Sequence, residues 1–441
     1  TFHQLYRTRL ARGKWRDKGR PILLNNWEAT YFDFNEEKLL ALAKRAAEIG
    51  VELFVLDDGW FGKRNDATSS LGDWKVNTEK LPGGMKSLSE RIKEMGMGFG
   101  LWIEPEMVNK DSQLFREHPD WVLADNRRNY CHSRNQYVLD FSKAEVVDYI
   151  YGQLKEVLGE ADISYVKWDM NRSFSEVFSN GMDRSWQGKV RHKYILGVYD
   201  LYERLTQEFP DILFESCASG GARFDPGILY YAPQGWTSDD TDAVERVKIQ
   251  YGTSYVYPLS SMGSHVSASP NHQVFRYTSL ETRANVAYFG TFGYELDLTE
   301  LSKQELREMK GQILFMKRYR ELIQQGVFYR LESPFENNSS AWMVVSEDQK
   351  EALAVYFRVL QPTQAGFKRI RLAGLRADWE YSVEEVSGAG SLSKERNGRF
   401  GDELMYAGLS VSDVSSGLPG VAEEKQGDFL SRLFRLKRIE I

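Results

Sequence analysis

The residues able to do chemistry in this 441-residue chain sit at the ends of short apolar runs. "ISYVKWD" finishes on Lys167 and Asp169, although a buried strand normally ends in turn residues and a surface strand alternates apolar with polar. Asp57 and Asp58 end "VELFVLDD", Trp102 and Glu104 end "GLWIE", Glu215 and Cys217 end "DILFESC", and Asp239 and Asp240 follow "QGWTS". One aspartate in such a place is ordinary helix capping, and "TSDDTDAVERV" alone fits capping as well as catalysis. Five strand ends behaving this way ask for a shared pocket. Several carboxylates, one lysine and aromatic walls suit the cleavage of a glycosidic bond. That reaction takes one carboxylate to attack or polarise, one carboxylic acid to protonate the leaving oxygen, and polar groups that hold hydroxyls. Lys167 is the expected counter-charge of Asp169, and Asp239, facing that anion, is expected to keep its proton longer.

Clustered carboxylates also hold magnesium, usually beside glycines that cradle phosphate. "CASGGAR" is the one such segment, and its glycines can equally let backbone approach a sugar. Six histidines include no H-x-H or H-E-x-x-H pattern, so neither a metal nor a cofactor is expected. A net charge of −6 offers no basic surplus to nucleic acid or an anionic membrane. Charged residues interrupt every apolar run before it reaches membrane-spanning length. Cys131 and Cys217 make no disulfide framework, and both are expected to stay reduced. A glycan on the sequon Asn171-Arg172-Ser173 would occlude the candidate site, which points to a bacterial cytoplasm.

Strands and helices alternate ahead of these residues. "PILLNNW", "VELFVLDDGW", "GFGLWIEPEM", "ISYVKWD", "DILFESCASGG", "QGWTSDDTD", "SYVYPLSSMGSH" and "NVAYFGTFGYELDL" read as eight strands. Helical patterns separate them: one capped by Asn35 and ended by Gly50, one around Leu88 and Ile92, and one from Ser142 to Gly159. An amphipathic segment over 184–208 and a long helix from about Lys303 to Gln325 complete the series. Eight strand–helix units predict an α/β fold, a (β/α)₈ barrel, whose strand ends all open onto one face. Beyond Gly326 helices give way to turn-linked strands, an antiparallel β-domain. The expected division is a lead-in over 1–20, a catalytic barrel over 21–326 and a β-domain over 327–441, with "SGAGSLSKERNGRFGDE" as a flexible loop.

"NNWEATYFDF", "DDGWFG", "LGDWKVNTEKLPGG", "GLWIEPEMVN", "YVKWDMNR", "CASGGAR" and "WTSDDTDA" together resemble the α-galactosidases of glycoside hydrolase family 36. The resemblance covers the barrel in order and the β-domain more loosely. It implies a retaining exo-α-galactosidase acting on melibiose- or raffinose-type sugars, with Asp169 as nucleophile and Asp239 as acid/base. It further implies that Asp57 and Asp58 hold the galactose 4- and 6-hydroxyls and Lys167 the 3- and 4-hydroxyls. Cys217, Ser219, Gly220 and Arg223 would line the 2-hydroxyl, and Trp27, Trp102, Arg134, Asn171 and Trp236 would build the walls. Members of this type carry an N-terminal β-sandwich ahead of the barrel and assemble as tetramers; that domain is not among these residues. An α-N-acetylgalactosaminidase and a raffinose-synthase-like transglycosylase are rival readings on the same barrel. A non-catalytic sugar-binding barrel and a metal phosphoesterase are rivals from other classes.

Overall fold

The computed structural model describes residues 2–125, 127, 131, 133–363, 368–392, 398–411 and 427–440. Eight parallel strands pair in chain order and close on themselves. They are β1 (Leu23–Asn25), β2 (Leu53–Leu56), β3 (Gly98–Ile103), β4 (Ile163–Trp168), β5 (Leu213–Ser216), β6 (Gln234–Trp236), β7 (Met262–Ser267) and β8 (Thr291–Glu295). A helix follows each: α1 (Glu36–Ile49), α2 (Gly84–Glu94), α3 (Ala144–Glu160), α4 (Val190–Glu208), α5 (Pro226–Leu229), α6 (Ala243–Thr253), α7 (Leu280–Ala287) and α8 (Lys303–Gln325).

Local chemistry explains most of these boundaries. The Asn35 side chain accepts from the Lys38 amide, the stripe Leu39, Leu42, Ala46 and Ile49 is buried, and Gly50 ends α1 at φ +97°. Ser302 and Glu305 form a reciprocal capping box at the start of α8. Three expectations need correction. Ser142 does not cap α3; its hydroxyl and amide turn back onto Asp140, and Lys143 stands at the cap without a side-chain bond. The strand expected over "SYVYPLSSMGSH" begins only at Met262, after a 3₁₀ turn at Leu259–Ser261 behind Pro258. The first part of "NVAYFGTFGYELDL" is the end of α7, and β8 starts at Thr291. Residues are buried on every side of α7, so it shows no amphipathic period to betray a helix.

The lead-in closes the other mouth of the barrel. Trp15 packs with Leu23, Leu53, Val55, Tyr165 and Leu213, and its indole donates to the Asp211 carbonyl at 3.0 Å. A short hairpin, Met107–Asn109 with Gln136–Val138, rises beyond β3 and was not foreseen.

The β-domain starts at Val327. Among the described residues its main sheet has six strands, β9 (Val327–Glu332), β10 (Ser339–Val345), β11 (Glu351–Arg358), β12 (Glu380–Val386), β13 (Arg399–Phe400) and β14 (Leu430–Arg438), ordered β9-β10-β11-β14-β12-β13. Every pair is antiparallel. Of "KRIRLAGL" only Arg369–Ile370 is strand, paired with Leu409–Ser410. Residues 393–397 of the expected flexible loop lie outside the described residues, and its end forms β13 and a helix, Gly401–Tyr406. β14 was missed although it sits mid-sheet. Arg435 and Lys437 make it read as a charged tail, yet Arg435 is paired with Glu351 at 2.8 Å and Glu384 at 2.6 Å.

Candidate active site

At the carboxyl ends of the strands lies a cavity of about 260 Å³, small beside the ~300–1,000 Å³ pockets of drug-sized ligands. Asp57, Asp58, Trp102, Lys167, Asp169, Trp236 and Asp239 line it from β2, β3, β4 and β6, as foreseen. Trp27 joins them from a short helix, Trp27–Thr30, and Arg134 and Asn171 from loops.

Asp169 sits just past β4 and is buried. Its carboxylate is held by four neutral donors. Oδ1 accepts from the Met170 amide at 2.8 Å and the Ser219 amide at 3.3 Å. Oδ2 accepts from Asn171 Nδ2 at 2.7 Å and Trp102 Nε1 at 3.2 Å. Lys167 is not its direct partner, contrary to expectation: the ammonium bonds Asp57 Oδ2 at 3.0 Å. Burial would lower Lys167, but Asp57, and after it Glu295, hold the ammonium well above the usual lysine range. Among the described residues the Asp169 carboxylate thus has hydrogen-bond donors and no ion-pair partner.

Asp239 behaves as foreseen. Burial raises it above the usual carboxyl range, and the charge of Asp169 raises it further. Its backbone is brought close to the loop after β5. A Cβ on Gly220, at φ +80°, would meet Ser238 Cα at 2.6 Å and the Asp239 nitrogen at 2.7 Å. The Gly220 glycine therefore admits protein backbone, not a sugar.

The adjacent pair Asp57–Asp58 divides its work. Asp57 Oδ1 accepts the Asp58 amide at 2.9 Å, as a turn cap does, while Oδ2 also accepts Asn25 Nδ2 at 2.6 Å. Asp58 is gripped by Arg64 through two bonds of 2.6 and 2.8 Å. Burial raises Asp58 even against that guanidinium.

Six expected residues are not in the cavity wall: Glu215 accepts from Gln234 Nε2 at 2.7 Å, Asp240 accepts the Asp242 amide at 3.0 Å, and four more lie elsewhere. Cys217 is buried and lifted well above the thiol range by burial and then by Asp169, so it is an un-ionised thiol. Arg223 points away into a two-bond pair with Glu106, each at 2.8 Å. Ser219 turns its hydroxyl to the rim, between Arg134 at 2.9 Å and Asn171 at 3.1 Å. Gly220 is spent on the close approach described above.

Glu104 lines the cavity as the strand-end reading expected, and the cavity holds others that sequence reasoning did not assign: Glu28, Tyr31, Arg64, Gln136, Thr241, Gln273 and Glu295. Glu104 is pushed up to about 8, by burial and by Asp169, and accepts from Gln136 Nε2 at 2.8 Å. Glu28 is also lifted to about 8, by burial and by Glu295, and accepts the Thr241 hydroxyl at 2.8 Å. Glu295 ends β8, so the same strand-end logic applied to "FGYE" would have found it.

A family model for melibiase matches residues 1–326, and one for the glycosyl hydrolase family 36 C-terminal domain matches 339–436. The chain belongs to glycoside hydrolase family 36. Among relatives in this family, α-galactosidase AgaA of Geobacillus stearothermophilus is 54% identical over 100% of this chain and 58% of its own length. Mel36A of Lactobacillus acidophilus is an α-galactosidase 45% identical over 99% of this chain and 57% of its own. This family 36 chain thus spans little more than half the length of these curated relatives. The crystal structure of AgaA superposes with a TM-score of 0.93, at 53% identity, over 100% of this chain and 58% of the other. A variant of AgaA has been crystallised in complex with raffinose, at 52% identity, a TM-score of 0.93, and coverage of 99% and 58%.

Proposed function

We propose that this barrel acts as a retaining exo-α-galactosidase on melibiose- and raffinose-type oligosaccharides. The observation that carries the reading is the contrast between the two aspartates. Asp169 is a carboxylate held by four neutral donors, while Asp239 is lifted by burial and by Asp169 itself. One is equipped to attack and the other to give up a proton. Asp169 attacks the anomeric carbon as Asp239 protonates the departing oxygen, leaving a β-galactosyl ester on Asp169. Asp239, now a base, takes a proton from water, which attacks the ester and releases galactose with its α configuration restored. Two inversions give retention. The carboxylates of Asp57 and the Arg64-clamped Asp58 are the acceptors, and Lys167 the donor, that select the galactose hydroxyls. Support comes from the relatives, which are named α-galactosidases, and from the raffinose complex of AgaA.

The decisive experiment is hydrolysis of p-nitrophenyl α-galactoside with and without chelator, the first-formed anomer being read by NMR. Release of α-galactose unaffected by chelator is expected. β-Galactose as first product, or loss of activity on chelation, would overturn the mechanism.

A further inference from the structure

The two aspartates are held in opposite ways. Four hydrogen bonds orient the Asp169 carboxylate, but among the described residues no side chain or amide bonds the Asp239 carboxyl. The placement of that carboxyl is therefore set through its backbone. Gln273, on the exposed connection between β7 and α7, grips that backbone from the cavity side. Its Nε2 donates to the Asp239 carbonyl at 2.7 Å, and its Oε1 accepts the Thr241 amide at 3.2 Å. The turn carrying Gln273 is itself fixed. Asn271 Oδ1 accepts the Gln273 amide at 2.9 Å, and His272 Nδ1 lies 2.9 Å from the Tyr31 hydroxyl on the far wall.

We infer that Gln273 is a positioning residue for Asp239, acting as a two-point clamp that holds the acid at the leaving-group oxygen. The inference rests on the reading of Asp239 as the acid/base. Gln273 is exposed, so its amide bonds contribute little to folding, whereas a proton donor displaced by a fraction of an ångström transfers poorly. Arg246 holds the preceding Ser238 carbonyl at 3.1 Å from behind, but among the described residues only Gln273 reaches both sides of Asp240.

Gln273→Ala and Gln273→Glu test it, with kcat/KM measured on melibiose and on 2,4-dinitrophenyl α-galactoside. Both values report the step up to the galactosyl ester, and only the sugar leaving group needs a proton there. Gln273→Glu keeps an acceptor for Thr241 but loses the donor to Asp239. Each variant is expected to lose about ten- to a hundredfold on melibiose, at least about tenfold more than on the dinitrophenyl substrate. An equal loss on both substrates, or no loss on melibiose at an unchanged thermal midpoint, would overturn the inference. Asp239→Ala with azide runs in parallel. If it yields α-galactosyl azide and the same leaving-group bias while the Gln273 variants show none, only the clamp is wrong. If it shows neither, the acid assignment falls and takes the clamp with it.

Discussion

The two mouths of the barrel are made by the same eight strands and share almost no chemistry. At the amino ends Trp15 sits among Leu23, Leu53, Val55, Tyr165 and Leu213, an apolar plug. At the carboxyl ends Asp57, Asp58, Lys167, Asp169, Glu104 and Glu295 are buried together, an arrangement that costs folding free energy unless every charge is paired, hydrogen-bonded or neutralised. Each of those outcomes is visible: Lys167 and Arg64 pair two aspartates, four donors hold Asp169, and Glu28 and Glu104 are lifted to about 8. One mouth stabilises the fold and the other draws on that stability for reactivity.

Asp169→Ala should separate the mouths most sharply. It should abolish turnover of every α-galactoside while leaving the plug untouched. Asp239→Ala should instead spare activated aryl galactosides, and azide should give β-galactosyl azide with the first variant and α-galactosyl azide with the second. A reversed pattern of products would exchange their roles. Asp58→Asn comes next, because it breaks one of the two bonds to Arg64 and removes a charged acceptor. Activity on p-nitrophenyl α-galactoside should fall by at least about a hundredfold with the circular-dichroism spectrum unchanged. Near-normal turnover would remove Asp58 from galactose selection.

Trp15→Ala addresses the opposite mouth. It should cost about 3–5 kcal/mol of unfolding free energy in denaturant titrations, while kcat of the folded fraction stays at the wild-type value. A drop in kcat would mean the plug tunes the site. The smallest effect belongs to the raised glutamates. Below their ordinary pKa of 4.5 Glu28 and Glu104 are protonated both folded and unfolded, and from there to about 8 only the folded protein keeps the protons. Unfolding then releases protons, so this contribution to stability is lost as pH rises across that window. Glu28→Gln and Glu104→Gln, each uncharged at any pH, should flatten the decline of the thermal midpoint between pH 5 and 8. An unaltered slope would show that both carboxyls ionise in the folded protein.

Much of this was legible in the chain. Five strand ends and the cap at Asn35 follow from local periodicity and hydrogen-bonding side chains, which act over a few residues and leave a local imprint. α7 and β14 were not legible for one shared reason. Each is defined by what surrounds it: α7 is buried on all faces, and Arg435 of β14 is neutralised by Glu351 and Glu384 from neighbouring strands.

The same division runs through the site. Sequence alone determined which residue types reach the carboxyl face, because strand order and the period of two dictate where Asp57, Asp169 and Asp239 emerge. Only the tertiary structure decided their partners. Lys167 and Asp169 lie two residues apart, yet the lysine bonds Asp57 on a strand two places away around the barrel. Arg223 follows the Gly220 turn but reaches Glu106 beyond β3, and Gln273 reaches Asp239 across the mouth. Partner choice depends on distances through space that barrel closure creates, and spacing along the chain carries no record of them.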